Sequence, residues 1–128
     1  MIFGIGTDMI EVARVKKFLT KGLDNLDGIF SAQEIEYCSG KRFPERNFAA
    51  RFAAKEAFMK ALGTGWRGGI RFCDIEVVLN NLGKPGIVLK GKAADILKQS
   101  VSSNCLIHLS LSHLNHYAIA MVIIETGE

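Results

Sequence analysis

The sequence lacks a long apolar run. Its longest, Tyr117 to Ile124, is eight residues. A membrane-spanning helix needs about 20, so no such span is expected. It also lacks a secretory pattern. Met1 leads straight into Ile2-Phe3-Gly4-Ile5-Gly6, with no basic segment and no small-residue cleavage site. Cysteine is scarce and unpatterned. Cys38, Cys73 and Cys105 are an odd number without C-x-x-C spacing. That argues against a disulfide frame or a softer metal site, and it suits small buried side chains in a reducing, cytoplasmic setting. Strong charge of one sign is missing too. Sixteen Lys and Arg against thirteen Asp and Glu leave a formal +3. This permits an anionic partner but is thin for a nucleic-acid face. No linker, low-complexity tract or strong repeat divides the 128 residues, so one domain over 1–128 is expected.

What remains is an ordinary globular composition, 48% apolar and 23% charged. Residues 1–10 alternate as a strand. Phe3, Ile5, Thr7 and Met9 share one face; Gly4, Gly6, Asp8 and Ile10 share the other. Val12, Val15 and Leu19 recur at helical spacing within 11–20. Ser31 and Glu34 form a capping-box pattern that starts a helix over about 32–39, closed near Gly40. Pro44 opens a longer helix at about 45–62, ended by Gly63. Residues 74–79 and 86–90 read as strands around the turn cluster 80–85, and 92–100 as a helix. Residues 105–112 and 116–125 read as a hairpin. Strands that arrive singly and in hairpins around a helical block predict an α+β fold, with a mainly antiparallel sheet and a long central helix.

Three places can carry chemistry. Asp8 lies on the strand face that Gly4 and Gly6 leave bare. That suits a cation or ligand site beside exposed backbone; the other reading is that Thr7 or Asp8 N-caps the next helix. Along 45–62, Ala49, Ala50, Ala53, Ala54, Ala57 and Ala61 gather on one broad face, with Arg51 and Lys55 pointing away from it. Glu56 and Lys60 stack at i, i+4 on the edge of that face. They are either a surface ion pair or a carboxylate held for a cation, beside an ammonium. Asp8 and Glu56 together would offer hard oxygen ligands of the kind Mg2+ takes. The segment Gly63-Thr64-Gly65-Trp66-Arg67-Gly68-Gly69 is glycine-rich like a phosphate cradle. It lacks the Lys-Ser/Thr of a P-loop and follows a helix, so a helix cap and loop is the other reading. Arg14, Lys17 and Lys21 form a basic stripe that either meets an acidic partner or is a solvated face. His108, Ser110, Ser112, His113 and His116 cluster near the last turn, but no G-x-S-x-G elbow supports a hydrolase.

Two segments then resemble motifs of the holo-[acyl-carrier-protein] synthase family of 4′-phosphopantetheinyl transferases. They are Gly4-Ile5-Gly6-Thr7-Asp8-Met9-Ile10-Glu11-Val12-Ala13-Arg14 and Phe52-Ala53-Ala54-Lys55-Glu56-Ala57-Phe58-Met59-Lys60-Ala61-Leu62-Gly63-Thr64-Gly65. Asp74-Ile75-Glu76-Val77, Gly83-Lys84-Pro85 and Leu109-Ser110-Leu111-Ser112-His113 follow in the family's order. The resemblance implies transfer of the phosphopantetheine arm of coenzyme A to a serine of apo acyl carrier protein, with release of adenosine 3′,5′-bisphosphate. It implies Mg2+ on Asp8 and Glu56, and Lys60 beside the coenzyme A phosphates. It places Gly63, Thr64 and Gly65, with Arg51 and His113, at the cofactor. It assigns Arg14, with Lys17 and Lys21, to the carrier protein. Glu56, directly or through a water on the ion, is the implied base, with Asp8 its rival. A homotrimer with sites at subunit interfaces, a role in fatty acid biosynthesis, no nucleic acid and no membrane complete the expectation. Trp66 departs from the small aliphatic residue usual at its position. A non-catalytic carrier- or nucleotide-binding module and a small RNA-binding domain are the rival readings.

Overall fold

A computed structural model of the chain describes residues 1–22, 26–64, 69–102 and 104–127. Strand β1 (Ile2–Glu11) leads into helix α1 (Val12–Leu19). Helices α2 (Ala32–Ser39) and α3 (Pro44–Leu62) follow. A 3-10 turn at Phe72–Asp74 enters the hairpin β2 (Ile75–Leu79) and β3 (Pro85–Leu89). Helix α4 (Gly91–Ser100) and the hairpin β4 (Cys105–His113) and β5 (Tyr117–Thr126) complete the order.

Local chemistry accounts for the element ends. At α2 the Ser31 N–H donates to Glu34 Oε1 at 2.9 Å, and the Glu34 N–H donates to Ser31 Oγ at 3.2 Å. The predicted capping box is therefore formed. Pro44 stands in the first turn of α3, and Gly63 closes it at φ +81°, where a side chain would be strained. At α1 one reading fails. Position Glu11, not Thr7 or Asp8, is the N-cap, and no side chain caps it. The strand runs on to Glu11, so Asp8 stays inside β1 and its carboxylate is free of that task.

The strands form two antiparallel sheets, one of three strands in the order β1-β5-β4 and one of β2 with β3. The first strand thus pairs with the last: Gly4 faces Ile124, Gly6 faces Val122 and Asp8 faces Ala120. The α+β expectation holds. The inner sheet face carries Gly4, Gly6, Ala118, Ala120, Val122 and Ile124, and it packs on α3. All six stripe alanines of α3 are buried. A second part of the core joins Val12 and Val15 of α1 to Phe30, Cys38 and Phe48, with the Phe30 and Phe48 rings edge to face at 4.9 Å. All three cysteines are free thiols, and burial pushes the Cys38 thiol up to about 11.

The tightest packing lies where β1 crosses α3. A Cβ built on Gly4 would sit 1.9 Å from the Ala61 carbonyl oxygen, and one on Gly6 would sit 1.9 Å from that of Ala57. Backbone lies directly on backbone here, which only glycine on the strand and alanine on the helix allow. Gly6→Ala is therefore expected to destabilise the protein by about 3 kcal/mol, the upper end for overpacking, because a helix carbonyl must move. Gly86→Ala, whose Cβ would meet nothing within 4 Å, is expected to change stability by less than about 1 kcal/mol. Urea denaturation midpoints measure both, and equal midpoints for the two variants would refute the close-approach argument.

Candidate active site

The back of α3 is held by a buried ionic network. Lys55, fully buried, donates to Glu34 Oε1 at 2.7 Å, to the Phe72 carbonyl at 3.0 Å and to the Ile75 carbonyl. All three ammonium protons are thereby used. Glu34 also accepts the Val77 N–H at 2.9 Å, and the Ser31 hydroxyl donates to Glu76, which pairs with Lys90 at 3.1 Å. Burial lowers the Lys55 pKa, while Glu34 works against that. Removing one partner would strand a buried charge, which typically costs about 3–5 kcal/mol. The network locks α2, the 3-10 turn and β2 onto α3 and so orients the opposite side of the helix.

On that opposite side lies the seam with β1. Asp8 points in from the strand, and Glu56 and Lys60 come from the helix. Lys60 Nζ lies 3.1 Å from Asp8 Oδ1 and donates to the Thr7 carbonyl at 3.0 Å. It does not pair with Glu56, so the local i, i+4 ion pair is not the arrangement formed. Glu56 has no hydrogen bond or ion pair among the described residues. Burial raises its pKa, Asp8 raises it further, and Lys60 pulls it down. Two carboxylates thus stand beside one ammonium, which pairs with Asp8 alone. This donor set fits a hard divalent cation, whose charge would offset the repulsion recorded at Glu56. Among the described residues no group of three or more His, Cys, Asp or Glu forms a metal cluster, so further ligands would come from water or substrate oxygens.

The other expected residues divide. Gly63 and Thr64 follow one turn beyond Lys60, and the buried Thr64 hydroxyl has no partner among the described residues. Gly65, with Trp66 and Arg67, lies outside the described residues. Arg14 borders an apolar cleft of about 300 Å³ whose walls include Ile10, Phe18, Ile29 and Phe52. Ile10 is two residues beyond Asp8, and Phe52 is one turn before Glu56, so the cleft continues the seam. Lys17 and Lys21 are exposed nearby in sequence.

Arg51 and His113 are not brought to the seam. Arg51 lies about 140° around α3 from Glu56. It is 4% exposed, with its guanidinium carbon 4.4 Å from the centre of the Tyr37 ring and its Nε without a partner among the described residues. It lines a cavity of about 270 Å³ with Tyr37, Val77 and Val78. His113 faces Ala118, which in turn faces Ile10. It therefore stands two strands, about 10 Å, from β1. Sequence reasoning missed the cleft and the Glu34–Lys55 pair. The signal for that pair was a capping glutamate and a lysine on a helix whose second face also has to be covered.

A strand carboxylate and a helix carboxylate converging beside an ammonium define a site suited to phosphate chemistry with a divalent ion. Residues 4–122 match the 4′-phosphopantetheinyl transferase superfamily, and the chain belongs to that family. Among its known relatives, a holo-[acyl-carrier-protein] synthase from Geobacter sp. (strain M21) is 50% identical over 126 residues, covering 98% of this chain and 99% of that one. The fold is similar to that of the holo-[acyl-carrier-protein] synthase from Neisseria meningitidis, at TM-score 0.87, 33% identity, and coverage of 98% of this chain and 100% of that one. It is also similar to the Bacillus anthracis str. Ames synthase solved in complex with CoA (3′,5′-ADP), at TM-score 0.81, 35% identity and 99% coverage of both chains.

The raised pKa of Glu56 has a consequence for stability. Below the ordinary value of 4.5 the group is protonated folded and unfolded, and contributes nothing. Above its raised folded pKa it is ionised in both states, and the folded state bears the full cost. Glu56→Gln is therefore expected to raise the melting temperature at pH 7.5 in a chelating buffer, with the gain vanishing below pH 4.5. A gain that is equal at both pH values would contradict the assignment.

Proposed function

We propose that this chain is one phosphopantetheinyl transferase domain over 1–128. It moves the 4′-phosphopantetheine arm of coenzyme A to a serine hydroxyl of apo acyl carrier protein, in the service of cytoplasmic fatty acid biosynthesis. The observation that carries the reading is the convergence of Asp8, Glu56 and Lys60 at the β1–α3 seam. Asp8 and Glu56 would hold Mg2+, which when bound supplies positive charge against the diphosphate oxygens. Lys60 adds an ammonium on the same side. The Thr64 hydroxyl and the backbone of Gly63 line the approach of the cofactor, and Gly65, next in sequence, is assigned to the same ligand. Glu56, with its raised pKa, accepts the proton of the serine hydroxyl. The hydroxyl oxygen bonds to the β-phosphorus, the bond from that phosphorus to the bridging oxygen breaks, and adenosine 3′,5′-bisphosphate leaves with that oxygen.

The cleft beside Arg14 suits the partner. An acidic amphipathic helix would place an apolar side chain between Phe18, Ile29 and Phe52, and its carboxylates against Arg14, Lys17 and Lys21. Docking there brings its serine toward Glu56 along Ile10 and Phe52.

The site asks for a second copy of the chain. Phe3, Ile5, Met9, Ile119 and Met121 are each between 42% and 64% exposed on the outer face of the three-stranded sheet. Such an apolar face is normally covered. Covering it with other copies in a trimer lets a neighbour bring Arg51 and His113 to the coenzyme A phosphates, which neither residue reaches within its own chain.

Incubating the protein with coenzyme A, Mg2+ and apo carrier is expected to add the phosphopantetheine mass to the carrier, as read by mass spectrometry. Asp8→Ala and Glu56→Ala are expected to lower the rate by about 10²-fold or more, as removal of key electrostatic groups does elsewhere. Unchanged rates in both variants would reject the metal site, and intact carrier binding without mass gain would favour a binding module. Mixing inactive Asp8→Ala and Arg51→Ala proteins under subunit exchange is expected to restore part of the activity, because some sites in mixed trimers are built from unaltered halves. No recovery would mean that each site is built within one chain.

A further inference from the structure

We infer that Lys60 is the resident counter-ion of Asp8 and must release it when a divalent cation binds, so that Lys60 couples cation binding to diphosphate binding. The inference rests on the cation reading of the Asp8–Glu56 pair given above. Its ground is the partner choice of Lys60. The ammonium spans the seam to Asp8 Oδ1 at 3.1 Å and to the Thr7 carbonyl at 3.0 Å, and does not pair with the nearer-in-sequence Glu56. It therefore sits on the carboxylate that the cation would take, and its charge opposes the arrival of a cation there. The Lys60 side chain is 55% exposed and Asp8 18%, so the lysine can swing outward while the carboxylate stays.

Formal charge gives the direction of the coupling. Two carboxylates and one ammonium leave the site at −1. A divalent cation alone turns it to +1 and strips Lys60 of its partner. A diphosphate alone approaches a negative site. Together the ligands satisfy everything: the cation takes the carboxylates and Lys60 takes the diphosphate oxygens. Each ligand therefore raises the affinity for the other, and by linkage the two factors are equal. An exposed ion pair contributes up to about 1 kcal/mol, which sets the expected change at about fivefold.

The test uses Mn2+ as a spin probe on the full chain, with free Mn2+ measured by electron paramagnetic resonance, in the presence and absence of coenzyme A and without carrier protein. Lys60→Met is expected to bind Mn2+ alone about fivefold more tightly than the unaltered protein, and coenzyme A is expected to tighten that binding about fivefold less than it does in the unaltered protein. Lys60→Arg, which keeps the charge, is expected to retain that tightening, and thermal melting checks that both variants fold. If Lys60→Met binds Mn2+ alone no more tightly, or keeps the full effect of coenzyme A, the inference is wrong. If the unaltered protein binds no Mn2+ under either condition, the cation reading of the seam fails with it.

Discussion

The structure depends on one steric constraint, the contact of β1 backbone with α3 backbone. At Gly4 and Gly6 even a methyl group would overlap the carbonyl oxygens of Ala61 and Ala57. That closeness sets the reach of every side chain at the seam. Asp8 is short, and from a strand held further off its carboxylate would fall short of Lys60. The glycines and the alanine stripe are therefore one device written in two distant segments. The bare face of the strand is complementary to the small-residue face of the helix.

The seam holds its geometry because α3 is gripped from behind. The helix is buried on nearly all sides, with the sheet on one and α2, the 3-10 turn and β2 on the other. Lys55 is the centre of the second contact, and its three hydrogen bonds reach three different segments. Glu56 follows it directly in sequence and points toward the site. Adjacent residues thus do opposite work: one ammonium fully satisfied inside the protein, one carboxylate at the seam without a hydrogen bond or ion pair among the described residues. That contrast suits Lys55 to orientation and Glu56 to chemistry.

The element plan was legible in the residues. Ser31 with Glu34, Pro44 with Gly63, and the alternation through β4 and β5 each act over a few positions, and each element formed within a residue or two of its expected ends. The two carboxylates were legible as candidates for the same reason: Asp8 interrupts a bare strand face, and Glu56 edges an alanine face. Other features were hidden. The buried state of Arg51 and Lys55 could not be read from a helical wheel, which shows the face of a residue and not what covers it. The ion pair chosen by Lys60 was hidden as well, because the local partner at i−4 loses to one 52 positions away.

By itself the sequence determined the kinds of elements, their ends, the inward face of β1 and the short set of charged residues that stand out on the bare strand face and beside the alanine face. These follow from side-chain size, capping and periodicity, which operate between near neighbours. Tertiary structure alone decided that Asp8 belongs to the seam and not to the cap of α1. It also decided that Lys60 answers Asp8, and that Arg51 and His113 stand apart from the carboxylates of their own chain. Those outcomes depend on which remote segment arrives to bury, pair with or leave open a given charge, and no local pattern carries that information.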